Sequence, residues 1–392
     1  MPRRMRDTLK GSAWPALFCL ALLAGCRGCR AGDADAYPET LAYPPRADWV
    51  VDQLPTTFAD EPEKVADMEA PIRRINALGG RAYDPATVPA DLRAELQAAL
   101  ADLFGTPAAP TVKADGHAPF SAERLLAGSQ LYRRHCLQCH GLTGDGRGPT
   151  AMAISPYPRD YRQGVFKFVS TNGTAARKPT RADLGKVIAN GIPTTAMPPF
   201  NLIPEEDRDR LTDYVQYLSL RGKAEYDLLR TLAKGGEAAL EESVPADAAA
   251  VLEKELKAWA AAQTDVMPIF APEMADDSPE MAASIRRGRD LFLDAKGAGC
   301  VACHGDYGRK GKPQDNVWGF RVVPADLTDH KRKGGTGRED IYRRVRGGIG
   351  PSNMPAAATL TEQQTWDVAH FVRALPNPSL LPADVRRAVY GE

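Results

Sequence analysis

Arg134-His135-Cys136-Leu137-Gln138-Cys139-His140-Gly141 decides how this chain is read, and the pattern returns as Gly299-Cys300-Val301-Ala302-Cys303-His304-Gly305. Two cysteines separated by two residues and followed at once by histidine form the attachment signature of c-type haem. The spacing is set by chemistry. Two thiols add across the two haem vinyl groups, and the adjacent imidazole is carried beneath the iron as its proximal ligand. A zinc ribbon also uses Cys-x-x-Cys, but it needs further Cys or His ligands at matching spacing. A thioredoxin-like redox pair needs no following histidine and sits in an α/β context. Cys136, Cys139 and His140 are therefore read as one haem site, and Cys300, Cys303 and His304 as a second.

The totals set the frame. A chain of 392 residues predicts two or three domains, each able to bury a core. Fifty basic residues against fifty acidic ones argue against a nucleic-acid partner. A hydrophobic share of 43% fits neither a disordered chain nor a polytopic membrane protein. Four of the seven cysteines belong to the two motifs, which leaves Cys19, Cys26 and Cys29.

Residues 1–26 read as a lipoprotein signal peptide. Arg3, Arg4, Arg6 and Lys10 precede an apolar run from Ala13 to Ala24, too short to span a bilayer. The run ends in Leu23-Ala24-Gly25-Cys26, which resembles a bacterial lipobox, so Cys26 is the expected lipidation site. The expected location is the periplasmic side of the bacterial cell envelope, with a lipid anchor to the membrane. Cys29 is left open between a second modified thiol and a free one. Residues 27–118 form an N-terminal extension broken by Pro38, Pro44, Pro45, Pro55, Pro62 and Pro71, and read as a tether, with a docking surface as the alternative. Within it, Trp49, Val50, Val51, Leu54 and Phe58 are apolar enough to pack, and Asp91 to Phe104 reads as a helix.

The remainder is a duplication. Residues 119–221 and 283–376 each run helix, haem motif, loop, helix, methionine loop, helix. Residues 222–282 read as a helical linker and 377–392 as a tail. Pro158-Arg159-Asp160-Tyr161 is echoed by Pro324-Ala325-Asp326-Leu327. Arg181-Ala182-Asp183-Leu184 to Asn190-Gly191-Ile192 is echoed by Arg338-Glu339-Asp340-Ile341 to Gly347-Gly348-Ile349. The closing helices are expected over Glu205 to Leu220 and Leu360 to Leu375. The glycine-rich run after His140 could suggest a phosphate-cradling loop, but no Gly-Lys-Ser/Thr follows.

An iron that shuttles electrons without binding substrate needs a sixth ligand. Met197, in Ala196-Met197-Pro198, and Met354, in Asn353-Met354-Pro355, occupy equivalent proline-bearing loops in the two repeats. A thioether favours ferrous iron, and His/Met ligation raises the reduction potential. Met152, His117, His135, His330 and His370 are poorer candidates; His330 and His370 read as polar surface or helix residues.

Both repeats resemble class I cytochrome c domains, and this resemblance covers about 200 of the 392 residues. It implies an all-α fold of two tandem domains, each wrapped around one of two covalently bound haem c groups. It implies that the first and last helices of each unit cross, and that loops before the methionine contact the haem propionates, with Arg159, Tyr161, Trp318 and Arg321 as candidates. The arrangement is similar to diheme subunits that link membrane-bound dehydrogenases or quinol-oxidising complexes to terminal oxidases or soluble cytochromes. The expected role is therefore single-electron transfer with no catalytic residues. The alternatives are a diheme peroxidase-type enzyme, which needs an iron with an open position, and a haem-bearing subunit of a larger respiratory complex. The second methionine loop, Pro351-Ser352-Asn353-Met354-Pro355-Ala356, departs from the Met-Pro-Pro-Phe of the first.

Overall fold

The computed structural model describes residues 35–53, 75–77, 79–114, 119–172, 178–309, 311–315, 321–350, 352 and 354–391. The leader, Cys26, Cys29, Leu54, Phe58, His117, Trp318 and the side chain of Arg321 lie outside what is described. The residues from Tyr37 onward form one compact unit.

The chain enters through β1 (Val50–Gln53), which pairs antiparallel with β2 (Arg81–Tyr83). Helix α1 (Ala90–Phe104) follows, with Leu92, Leu96, Leu100 and Phe104 buried at spacings of four, and it ends where Gly105 turns to φ 69°. A two-residue hairpin, β3 (Gly105–Thr106) with β4 (Ala109–Pro110), leads towards α2 (Ala122–His135), capped by Ser121 accepting from the Arg124 amide at 3.2 Å. Next come α3 (Leu137–His140), α4 (Arg181–Asn190) with a Thr180/Asp183 capping box, α5 (Glu205–Gly235) and α6 (Val244–Ala262). The second half carries α7 (Pro279–Leu293), α8 (Cys300–His304), a short pair β5 (Gln314–Asp315) with β6 (Arg321–Val322), α9 (Arg338–Gly347), α10 (Glu362–Ala374) and α11 (Ala383–Tyr390). Among the described residues the architecture is all-α with three marginal strand pairs. Among the described residues no helix is long and apolar enough to cross a membrane.

In both units the helix before the haem motif crosses the closing helix, as the resemblance implies. A glycine lies at each crossing. A Cβ on Gly128 would stand 2.5 Å from the Arg210 carbonyl and 3.0 Å from Tyr214 Cβ; one on Gly288 would strike the Asp367 carbonyl and stand 2.9 Å from Phe371 Cβ. Only glycine lets backbones approach this closely.

Three expectations need correction. The first closing helix does not end at Leu220 but runs to Gly235, so a boundary at residue 221 falls inside a helix. The cause is a continued apolar face: Ala224, Leu228, Leu229 and Leu232 are buried. The N-terminal extension is no loose tether from Tyr37 onward. Tyr43, Val50, Val88, Leu92, Leu96, Leu100, Phe104 and Val112 share one core with Leu211, Tyr214, Tyr217 and Leu218 of α5. Tyr217 donates its hydroxyl to the Phe104 carbonyl at 2.7 Å, and the hydroxyls of Tyr43 and Tyr214 are 2.8 Å apart. Four apolar side chains on α1 at about 2 kcal/mol each make a face that cannot stay in water. The linker likewise joins this core, through Val244, Ala248, Leu252 and Trp259 of α6. The second unit has its own core, from Met267 to Val389, which the C-terminal helix completes with Val385 and Val389.

Candidate haem sites

The first site begins where α2 stops. Cys136, at φ −121°, breaks the helix, and α3 restarts with the Cys139 and His140 amides both donating to the Cys136 carbonyl, at 3.1 and 2.9 Å. Two thiols and an imidazole are thereby fixed on one helical turn. The glycine-rich segment behind them is a wrapped cap. The amides of Gly146, Gly148 and Thr150 donate to the carbonyls of His140, Cys139 and Gln138 at 2.9, 3.1 and 3.0 Å. These are carbonyls that a helix end leaves without partners. Gly141, Gly144 and Gly146 all hold φ between 74° and 76°, which lets eight residues fold back tightly. Amides spent on carbonyls are not available to a phosphate, so the cradle reading is set aside.

His140 Nδ1 lies 3.1 Å from the carbonyl oxygen of Arg159. A carbonyl oxygen can only accept, so Nδ1 carries the proton and Nε2 keeps a lone pair for iron. Burial pushes the His140 pKa down to about 4, so the ring is neutral at ordinary pH, as a metal ligand must be. Tyr161 stacks on it at 4.7 Å between centroids. In the second unit His304 Nδ1 lies 3.3 Å from the Ala325 carbonyl, and burial again lowers its pKa. Arg159 and Ala325 hold the same place in the two repeats, each directly after a proline. Sequence reasoning flagged Arg159 and Tyr161 as propionate contacts; here one offers its backbone oxygen to the proximal histidine and the other covers its ring. A backbone acceptor leaves no side-chain signature, and the shared Pro-x-Asp echo was the available signal.

Burial raises the thiol pKa of Cys136 to about 12 and of Cys300 to about 11, so both are neutral thiols in the chain without a bound group. Among the described residues no group of three or more His, Cys, Asp or Glu side chains is gathered for a metal ion. The donor set instead fits haem c: two thiols for the vinyl groups and one oriented imidazole for the iron.

The methionine loops repeat hydrogen bond for hydrogen bond. After α4, Gly191 turns to φ 63°, the Ile192 amide donates to the Met197 carbonyl at 3.1 Å, the Met197 amide donates to Thr195 Oγ1 at 3.2 Å, and the Phe200 amide donates to the Ile188 carbonyl at 3.1 Å. After α9, Gly348 turns to φ 65°, the Ile349 amide donates to the Met354 carbonyl at 3.0 Å, the Met354 amide donates to Ser352 Oγ at 3.3 Å, and the Ala357 amide donates to the Val345 carbonyl at 2.9 Å. A Cβ on either glycine would strike the methionine carbonyl or its proline neighbour, 2.5 to 2.8 Å away. The hydroxyl two residues before each methionine was missed in the sequence, although Thr195 and Ser352 occupy matching places. Phe200 ties the first loop to the haem motif, its ring centroid 6.1 Å from that of His135.

Of the two readings of His370, surface or helix residue, the helix one holds: it lies on α10 and is buried. It is 1% exposed at the α7/α10 crossing, with Nδ1 2.8 Å from Ser284 Oγ, which in turn donates to Asp367 at 2.6 Å. Placed from the crossing glycines, the matching site in the first unit holds Asp213 paired with Arg124 at 2.7 Å. Burial first, then the nearby Arg338, lowers the His370 pKa to about 4. The unfolded chain, titrating near 6.5, then binds more protons between these values, so stability rises with pH across that window. Acidification from pH 7 to pH 4 is expected to cost on the order of 2 kcal/mol through this residue. In His370→Leu, thermal midpoints between pH 4 and 7 should lose that share of their slope.

Residues 123–215 match the family described as cytochrome C oxidase, cbb3-type, subunit III, and residues 285–376 match the family described as cytochrome c. No curated protein matches the chain in sequence. Among solved structures it is similar to a chain of the Kuenenia stuttgartiensis reducing HAO-like protein complex, at 24% identity and a TM-score of 0.43, over 65% of this chain and 96% of that one. The two family matches make the chain a diheme c-type cytochrome, with two covalently bound haem c groups and an electron-transfer role.

Proposed function

We propose that this diheme c-type cytochrome relays single electrons through two haems, one held by Cys136, Cys139, His140 and Met197 and the other by Cys300, Cys303, His304 and Met354. The observation that carries this reading is the pair of matching clasps around Met197 and Met354, each opening from a left-handed glycine six residues earlier. Two loops of different sequence keep the same four constraints on one residue type. A gap-filling methionine would need no such backbone clasp. When bound, haem iron supplies reversible one-electron chemistry, and the protein contributes ligation, burial and orientation. The chain's own part is to keep each imidazole neutral with its proton on Nδ1 and to offer a thioether from the methionine loop. Held by His140 with Met197 and by His304 with Met354, the two haems would supply electron exchange rather than peroxide chemistry.

The electron donor in this reading is a dehydrogenase or quinol-oxidising complex, and the acceptor a terminal oxidase or soluble carrier. Lipidation at Cys26 would hold the relay to the membrane on the periplasmic side of a bacterial envelope; loss of lipid label in Cys26→Ser tests that part. The ligand assignment is tested by Met197→Ala and Met354→Ala. Each should turn one ferric haem of two from low-spin to high-spin in its absorption and electron paramagnetic resonance spectra. Wild-type spectra in either variant would remove that methionine from the iron.

A further inference from the structure

The N-terminal segment ends in a buried charge network aimed at the first haem site. Arg162 makes a fork-to-fork pair with Asp48, Nη1 to Oδ1 at 2.8 Å and Nη2 to Oδ2 at 2.9 Å, with both side chains nearly inaccessible. The same guanidinium binds Asp160, Nε to Oδ1 at 3.0 Å and Nη2 to Oδ2 at 2.9 Å, while the Arg162 amide donates to Asp160 Oδ1 at 2.9 Å. Arg46 pairs with Asp48 from the other side, and its amide is fixed to Glu225 of α5 at 2.9 Å. Helix α5 leaves room for the network at Gly222, where a Cβ would collide with the Arg162 side chain.

The segment so gripped is the one that holds the proximal histidine. Arg162 is three residues beyond Arg159, whose carbonyl accepts from His140 Nδ1; Tyr161 between them stacks on the imidazole, and its amide is tied to the Gly144 carbonyl at 2.8 Å. The second unit is built differently. There Asp326 accepts from the amide and hydroxyl of Thr328, at 2.8 and 2.7 Å, with threonine where the first unit has Arg162. A buried ion pair adds little net stability over apolar packing, whereas a bidentate fork fixes geometry.

We infer that Asp48 and Arg162 are positioning residues for the first haem: the N-terminal segment clamps the 159–162 loop and sets the hydrogen bond from His140 Nδ1 to the Arg159 carbonyl. This rests on His140 being the proximal ligand. A hydrogen bond at Nδ1 raises the basicity of the ligating nitrogen and favours ferric iron. Loosening the clamp therefore raises the potential of the first haem.

The test uses the full holoprotein as Asp48→Asn and as the charge-balanced double variant Asp48→Asn with Arg162→Gln. In both, the Nδ1 proton of His140, followed by NMR in the ferrous state, is expected to exchange faster with solvent. In both, the potential of the first haem rises and that of the second stays in place. Asp48→Glu, which keeps the carboxylate, is expected to stay closer to wild type and serves where Asp48→Asn does not accumulate. Unchanged exchange and potentials in folded variants overturn the inference. A potential shift seen in the single variant but absent from the double reduces it to a charge effect and overturns positioning. A separate control tells the two readings apart: if His140→Ala keeps a wild-type low-spin first haem, it is the ligand assignment that fails.

Discussion

Replacing Cys136 and Cys139 together by serine is expected to leave one covalently attached haem per chain where the wild type has two. The thiols stand at the start and within the single turn of α3, with the Cys139 and His140 amides both bonded to the Cys136 carbonyl, so the pair and its imidazole are delivered as a unit. The other cysteines among the described residues, Cys300 and Cys303, stand on the separate helix α8 beside a separate core. The loss should therefore be confined to one site. Pyridine haemochrome absorbance per chain should fall by half, and the remaining haem should keep its wild-type spectrum and potential. The complementary variant, Cys300→Ser with Cys303→Ser, should lose the other half. Retention of two covalent haems by either double variant would show that attachment does not run through these thiols.

Changing Gly288 to valine is expected to destabilise the second unit by about 3 kcal/mol or more, because overpacking at a close crossing forces backbones apart. A single added Cβ would already meet the Asp367 carbonyl and stand 2.9 Å from Phe371 Cβ. Separating α7 from α10 also loosens the edge-on contact of Phe292 with Phe371, at 5.5 Å, and the Ser284–Asp367 bond. For a unit of about 100 residues this lowers the thermal midpoint by more than about 10 °C. The loss should begin in the second unit, whose apolar core is a cluster of its own. The same change at Gly128 should act on the first unit in the same direction, since the Arg210 carbonyl stands 2.5 Å from the added Cβ. An unshifted thermal midpoint in Gly288→Val would mean that the two helices do not cross at this glycine.

What the sequence made legible was the part that chemistry forces into short spacings. Thioether attachment needs two cysteines and a histidine on one turn, and duplication made the order of parts readable twice. The methionine loops were legible for the same reason. What escaped was long-range or carried by the backbone. The pairing of Asp48 with Arg162 joins residues 114 apart, and no local pattern announces it. Prolines 38, 44 and 45 suggested irregular chain, which is correct for its conformation but silent on its burial beside Tyr214. The carbonyls of Arg159 and Ala325 serve the histidines with atoms that every residue has. The overrun of α5 past Leu220 was visible as a continued apolar face, and Gly222 within it is a gap cut for Arg162. His370 was legible as a helix residue, but a lone polar side chain has no periodicity to betray its burial.

The central claim is that two His/Met haems carry electrons and leave no iron open. The most direct measurement is a redox titration of the whole protein, followed in the visible and near-infrared, with peroxide added to the oxidised form. Two one-electron transitions are predicted, with the sulfur-to-iron charge-transfer band present for both ferric haems and no peroxide turnover. A high-spin ferric haem that consumes peroxide would contradict the relay and return the chain to enzyme chemistry.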